Sequence, residues 1–437
     1  MKKIFVTPLF FIFLAPIAAL ELTDIQGSLG DVFSSTIDDN EGLTSFRSLN
    51  IPSGGRTEAL GTAFTGLSDD ITFFDYNPAA SAILEETQIA VFHNAWISDS
   101  ALETLSATQR TGNFGYGFQL KCFYVPFTEY NLYGERVTGS YYSETAATFN
   151  VAYNFLAGYN FKGLAVGANA RAAWRNIPDY TDNQTDAIIS GSGLEQSALG
   201  LMADVGMLMQ FNALKFYHDR KANLTVGLAL TNVGTALTGF GNSVTTDDPL
   251  PTRIAAGLSY RPFSRIIFTT EVRKPLNLTD FSKSGAFSFA SGIETQITRF
   301  FAFQLGFLLQ GANPRISMGS EFEFKKIKMD VTYTFDLTSS ANPVNHISLS
   351  AKMLLGDRGR KALIEKVDQC YLDGLKFYAE GYYDEAILKW NEAIVTAASD
   401  PLNMRFEPAE QAKRAAVNFN RNKFDLESMY SVSFDEE

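Results

Sequence analysis

Residues 301–337 run FAFQLGFLLQGANPRISMGSEFEFKKIKMDVTYTFDL. Phe301, Phe303, Leu305, Phe307 and Leu309 take alternate positions, with Gln304, Gly306 and Gln310 between or beside them. Met329, Val331, Tyr333, Phe335 and Leu337 repeat the device against Asp330, Thr332, Thr334 and Asp336. Successive side chains of a β-strand point to opposite faces, so each segment has one apolar and one polar face. Strands of soluble proteins typically run about 5–6 residues, whereas a tilted strand crossing a bilayer needs about 9–11. The long segments, joined at one point by little more than Lys325-Lys326, point to strands that cross a membrane.

The same pattern extends in both directions. Leu164, Val166, Ala168, Ala170, Ala172 and Trp174 oppose Asn169 and Arg171; Leu224, Val226, Leu228 and Leu230 oppose Asn223, Thr225 and Gly227. Such segments fall at 87–96, 101–111, 113–125, 143–156, 162–174, 198–212, 222–232, 252–262, 265–273, 285–295, 300–310, 314–324, 327–337 and 345–354. The count is about fourteen, an even number, as bacterial barrels require. Short links between segments 2–3, 4–5, 8–9, 10–11 and 12–13 contrast with long polar links at 3–4, 5–6, 7–8 and 9–10, although the outer links at 97–100 and 310–313 are short and the 6–7 turn is longer than its fellows. Short turns on one side and longer loops on the other are the asymmetry of an outer-membrane barrel, so residues 87–355 are expected to form an antiparallel transmembrane β-barrel. Asn169, Arg171, Asp204 and Gln210 then face the lumen. An even strand count also places both ends of the mature chain on one side, the periplasm.

Composition agrees. Aromatics make up 13% of residues, with 37 Phe and 33 Gly, and the mean hydropathy is −0.04. Beyond the first 20 residues no stretch approaches the roughly 18 apolar residues of a membrane helix. The formal charge of −12 argues against nucleic-acid binding, which needs a basic face. Cys122 and Cys370 are the two cysteines and fall in different predicted domains, so no disulfide framework is expected. Met1-Lys2-Lys3, the apolar run Ile4 to Ala15, and small Ala18 and Ala19 form a secretory signal over residues 1–20.

Residues 21–86 do not alternate. They carry Ser53-Gly54-Gly55-Arg56, then Ala59-Leu60-Gly61-Thr62-Ala63, then Asp69-Asp70, then Asn77-Pro78-Ala79-Ala80. Pro78 fixes φ and lacks a backbone donor, Asn77 can bond neighbouring backbone, and small alanines allow close packing on a wall. Such a segment could plug a lumen, or form an ordinary turn before a strand. The order of these motifs resembles the amino-terminal hatch of the FadL-like outer-membrane proteins, whose Asn-Pro-Ala motif is matched at Asn77, Pro78 and Ala79. That family transports long-chain fatty acids and other hydrophobic compounds, and includes PorV-type secretion shuttles. The resemblance covers about residues 50–355 and implies a hatch or gate built from Gly55, Arg56, Asp69, Asp70, Asn77, Pro78 and Ala79. It also implies outer-membrane lipid and a hydrophobic small molecule as partners.

At Gly356 the period shifts from 2 to 3.6. Gly374, Phe377, Gly381, Ala386, Trp390 and Ala393 stand at the spacing of one tetratricopeptide repeat, so residues 356–419 are expected to form a small helical module facing the periplasm. It could dock a periplasmic protein or be a bland hairpin. Residues 408–418 give a further helix, and 420–437 an acidic, frayed tail.

Catalysis finds little footing. Of three histidines, His93 and His346 are expected near strand ends and His218 in a turn, each solvated or interfacial. No HExxH, GxSxG or P-loop spacing is present, no cofactor is implied, and Asp69-Asp70 alone is a weak cation site. The expected activity is passive uptake of hydrophobic molecules, against a structural or secretion-associated barrel that docks partners.

Overall fold

The computed structural model describes residue 40 and residues 44–96, 99–159, 161–182, 184–217, 221–238, 249–337, 345–400 and 402–434. The expected signal, residues 1–20, and His218 lie outside them.

Fourteen strands run β1 Thr87–Ala95, β2 Ala101–Thr111, β3 Phe114–Tyr130, β4 Arg136–Phe155, β5 Leu164–Asn176, β6 Ala198–Phe211 and β7 Leu224–Thr238. They continue through β8 Arg253–Phe263, β9 Ile266–Pro275, β10 Ser288–Thr298, β11 Phe301–Gln310, β12 Asn313–Phe324, β13 Ile327–Asp336 and β14 His346–Gly356. Each pairs antiparallel with its sequence neighbours, and β1 pairs with β14 from Thr87 opposite Gly356 to Ala95 opposite Ile347. The sheet is a closed barrel, so no edge exposes unpaired backbone to lipid.

Alternation decides the two surfaces. Every strand but β5 turns at least one large apolar side chain outward and leaves it exposed, among them Val91, Leu105, Phe149, Leu228, Leu305 and Leu349. On β5 the outward positions Ala170 and Ala172 are small. Inward positions are mostly polar or small, with Phe92, Leu102, Leu208, Ile267 and Leu308 among the larger apolar ones, and most of them are buried. A contiguous apolar belt of this extent is untenable in water and is what a bilayer-spanning barrel presents.

The first expectation to be corrected is the long 3–4 loop. β3 and β4 extend as a hairpin well past their neighbours, pairing Phe127 with Ser140 and Glu129 with Thr138. β2 stops opposite Tyr124, so Pro126 sits on a free edge where its missing N–H breaks no ladder bond. The tip closes in five residues, with Asn131 Oδ1 accepting from the backbone N–H of Tyr133 at 3.0 Å and Glu135 at 2.9 Å. Likewise β7 continues to Thr238, beyond the expected 232, by means of a bulge at Asn232, which adopts a left-handed φ of 59°.

The segment before the barrel fills the lumen. It comprises 3-10 turns at Arg47–Asn50, Ile71–Asp75 and Pro78–Ala82 and a short helix at Gly55–Ala59. Its described residues begin at the long-loop end, where Ser45 N–H donates to Pro249 O at 2.9 Å and Asn40 Nδ2 to Ser284 O at 3.4 Å. It leaves at the short-turn end beside Glu86, which Lys361 meets at 2.6 Å. Within the described residues the hatch therefore threads the lumen from the loop mouth to the short-turn end; the amino-terminal end of the mature chain, expected on the periplasmic side, lies outside the described residues.

After β14 come α1 Arg360–Ala379, α2 Tyr383–Ala398 and α3 Glu407–Phe434. Trp390 is buried between the helices, its Nε1 donating to Tyr371 O at 3.2 Å. Gly374 lies against the indole, where a β-carbon would fall below 3.0 Å, and Gly381 ends α1 at a φ of +88°. Ala386 and Ala393 are buried and Phe377 is half-buried in the same cluster. The expected tail from 420 is corrected: α3 runs on to Phe434, because no Gly or Pro follows Pro408 to stop it. The helices are fixed to the short-turn rim. Tyr159 stacks edge-on against Phe406 at 5.2 Å, Asn113 Nδ2 donates to Asn403 O at 2.9 Å, and Arg405 N–H donates to Ala157 O at 3.1 Å.

Candidate functional site

The lumen is crowded because the wall is cut away to admit the hatch backbone. Gly115, Gly167, Gly206, Gly227, Gly257, Gly292 and Gly306 sit at inward positions of seven strands. At each, a β-carbon would stand less than 3.0 Å from an atom of hatch residues 60–82. Three cross-strand pairs are glycine on glycine: Gly167 with Gly206, Gly227 with Gly257, and Gly292 with Gly306. Glycine within a strand marks close approach of another backbone, and here the approach is to the hatch. A void beside Ser53, Gly54 and Lys352 measures about 10 Å3, at the lower limit for a single water.

Polar side chains then tie the hatch in place. Asn77 is fully buried; its Nδ2 donates to Thr65 O at 3.1 Å within the hatch and to Met207 O at 3.0 Å on the wall. Its Oδ1 accepts from Ala79 N–H at 3.2 Å and caps the Pro78–Ala82 turn, for which Pro78 is suited at the first position. Pro78 O accepts from Asn150 Nδ2 at 2.9 Å. Asn169 and Arg171 of β5 both donate to Phe74 O, at 3.2 and 3.1 Å, while Asp204 accepts from Asn169 at 2.8 Å and pairs with Arg171 at 3.1 Å. Three of the four residues expected to face the lumen thus form one buried cluster against the hatch. Gln210, on the same face of β6 near its end, is half-buried and stands outside that cluster.

A second tie is ionic. Arg56 meets Asp69 at 2.5 Å, Asp70 at 3.2 Å and Glu294 of β10 at 2.6 Å. Asp70 also meets Lys352 of β14 at 3.0 Å, and Lys352 reaches Glu321 at 3.3 Å and Asp330 at 3.1 Å. The acidic pair weighed as a cation site is therefore occupied by a guanidinium and an ammonium. Gly55 packs its backbone against β13, accepting from Thr332 Oγ1 at 2.7 Å.

Several members of the site escaped sequence reasoning. Glu58 of the hatch accepts from Asn94 Nδ2 at 3.1 Å, contacts His346 Nε2 at 3.1 Å and bonds Ser348. His346 is buried, which corrects its expected solvated setting: Glu58 and the Trp96 ring, 4.1 Å away, enclose it. His93 stays exposed and pairs with Glu103 at 2.7 Å. Glu271 accepts from the N–H groups of Phe64 and Thr65 at 2.8 and 2.7 Å, and Lys121 pairs with Asp75 at 3.4 Å. The available signal was a charged residue at an inward strand position, which needs a partner inside. Among the described residues no group of three metal-ligating side chains comes together, and the two thiols are free.

A closed antiparallel barrel with an apolar belt and a lumen filled by its own hatch defines a plugged transmembrane barrel. Residues 27–358 match the "Uncharacterised protein family (UPF0164)", and the chain belongs to that family. Two relatives from Treponema pallidum (strain Nichols), each called "UPF0164 protein", are 29% identical over 389 residues and 28% identical over 401. The first alignment covers 86% of this chain and 84% of the relative; the second covers 88% and 78%. Among solved structures, the CymD monoaromatic hydrocarbon channel aligns with 70% of this chain and 98% of its own, at a TM-score of 0.49 and 13% identity. The Pseudomonas putida toluene transporter TodX aligns with 69% and 97%, at 0.43 and 12%. Likenesses this distant carry no functional argument.

Proposed function

We propose that the protein is an outer-membrane channel through which hydrophobic molecules, such as long-chain fatty acids, pass down a gradient when the hatch shifts. The observation that carries this reading is the way the hatch is held. It is attached through discrete hydrogen bonds and ion pairs on a glycine-lined wall, so it can detach while the barrel's own ladder stays intact. A sealed lumen argues against a permanently open aqueous pore. Flux of a labelled fatty acid into proteoliposomes tests the reading. The expected result is saturable uptake that exceeds that of protein-free liposomes and needs no energy source; uptake equal to the protein-free control sinks it.

The docked helices favour a second reading, in which the barrel holds a periplasmic protein on a tetratricopeptide-like module in the manner of a secretion-associated barrel. Native mass spectrometry separates the two: co-purified hydrophobic ligand supports the channel, and a retained protein partner without ligand supports docking.

A further inference from the structure

Three tight turns of the short-turn rim join β8 to β9, β10 to β11 and β12 to β13, and each carries a base: Ser264-Arg265, Arg299-Phe300 and Lys325-Lys326. They follow one another along the rim, because Gln296 N–H donates to Arg265 O at 2.8 Å and Glu323 N–H to Phe300 O at 2.9 Å. Successive turns, two strands apart, stand about 10 Å from one another. Two-residue hairpin turns favour Asn and Gly, which accept left-handed backbone. Lys325 nevertheless takes a φ of 56°, so a lysine stands where the turn gains nothing from it.

All four cations are exposed, and none forms an ion pair among the described residues. Elsewhere the same rim pairs Lys221 with Glu85 at 2.7 Å, Lys328 with Glu323 at 3.2 Å and Lys361 with Glu86 at 2.6 Å. The helices dock on the β2–β3 and β4–β5 turns and leave this sector open. Four unpaired bases thus stand together in a chain whose formal charge is −12. Beside them Phe263, Phe300 and Phe324 are exposed, and Phe216 stacks on Phe263 at 5.7 Å. Aromatic side chains in this place form the girdle of a membrane barrel at its interface with water. Bases next to the girdle stand at the height of lipid headgroups, with their stems on apolar surface and their charges outward.

A ligand for this sector needs negative charge at the rim and apolar chains along the wall below it. A zwitterionic lipid gains little there, since its own ammonium cancels its phosphate. We propose that the sector binds anionic phospholipid of the periplasmic leaflet, with phosphates seated between adjacent turns among Arg265, Arg299, Lys325 and Lys326. The binding rests on the barrel standing in a bilayer and not on transport through it.

The test uses the full chain in phosphatidylcholine vesicles, with Phe300→Trp as a reporter in the sector. A minor fraction of lipid carries bromines on its acyl chains, either as phosphatidylglycerol or as phosphatidylcholine. The chain without the added indole supplies the background of Trp96, Trp174 and Trp390. Quenching is expected to show brominated phosphatidylglycerol associating about fivefold more tightly, or better, the gain from a single cation near a charged surface. Replacing all four cations together (Arg265→Gln, Arg299→Gln, Lys325→Gln and Lys326→Gln) should bring the two lipids level. Lys162→Gln, at the β4–β5 turn across the barrel, should leave the difference in place. Equal quenching by both lipids, a difference that survives the four substitutions, or one lost with Lys162→Gln overturns the proposal. Competition by millimolar inorganic phosphate would show a site for free anions and overturns the lipid assignment. If the fourfold variant does not fold, salt decides: exposed charges are screened beyond about 3 Å at 1 M, so the difference should vanish there, and its persistence overturns the proposal.

Discussion

Replacing Gly306 by alanine separates the hatch from the wall that holds it. The new β-carbon would stand within 3.0 Å of backbone atoms of Ala59, Leu60 and Gly61, and backbone cannot rotate away as a side-chain tip could. The barrel itself has no reason to suffer, since alanine in a strand is favoured over glycine by about 0.5–1 kcal/mol. Overpacking of this kind typically costs about 1–3 kcal/mol, and the hatch contact bears that cost. Such a shift raises the population of a loosened hatch by about 5- to 150-fold. Hydrogen exchange of residues 59–66 in nanodiscs, together with single-channel recording, reads the change. The expected result is faster exchange in that stretch and more frequent openings, with the barrel's electrophoretic mobility unchanged. Leu305→Ala, one residue away on the outward face, should leave both measurements as they were. If Gly306→Ala folds and its exchange and conductance match the parent, the glycine belt does not seat the hatch.

Arg56→Met strips Glu294 of its guanidinium, leaves Asp69 with Arg261 at 3.9 Å and leaves Asp70 with Lys352 as its cation; losing one partner of a buried ion pair costs about 3–5 kcal/mol, so exchange across residues 55–75 should rise sharply, and unchanged protection would show the cluster to be idle. A charge at outward-facing Leu228 should cost about 2–4 kcal/mol at mid-bilayer, whereas Leu388→Arg, on the exposed face of α2, should alter folding free energy within about 0.5 kcal/mol; equal effects in a lipid refolding assay would deny the lipid belt. Asp357 starts α1 by accepting from Gly359 N–H at 3.1 Å and Lys361 N–H at 2.8 Å. Slight burial acts to raise its carboxyl, but those backbone donors hold it below the ordinary carboxylate range. Its contribution is therefore complete above about pH 3.9 and is lost as pH falls through the lower folded-state value. Asp357→Ala should lower the stability of the helices by about 0.5–2 kcal/mol near neutral pH, with parent and variant converging in acid, and a constant gap in thermal melts would contradict it.

The barrel was legible because a lipid-facing strand has a two-residue period that composition cannot hide, as in Phe301 to Leu309. Fourteen strands and their closure follow from that period and the link lengths. The β3–β4 hairpin was misjudged because it leaves the membrane, where Tyr124 to Tyr142 need not alternate by polarity. At the site, Asn169, Arg171 and Asp204 were readable as polar residues on the inward face, but not as a cluster, since β5 and β6 are joined by about twenty residues and only register brings them together. The pairs between hatch and wall, made by Glu58 of the hatch and by Glu271, Glu294 and Lys352 of the wall among others, could not be matched from sequence: each joins segments that share no local pattern. The inward glycines were visible one at a time, as Gly227 and Gly306. Only the closed barrel shows that seven of them meet one segment, six against its backbone and Gly206 against the side chains of Asn77 and Pro78.

Deleting residues 50–80 tests the central claim most directly. The parent in planar bilayers should stay closed apart from rare openings. The deletion barrel, whose fourteen strands are untouched, should fold and show large, steady conductance. A deletion barrel that folds and remains as closed as the parent would mean that this segment is not the gate.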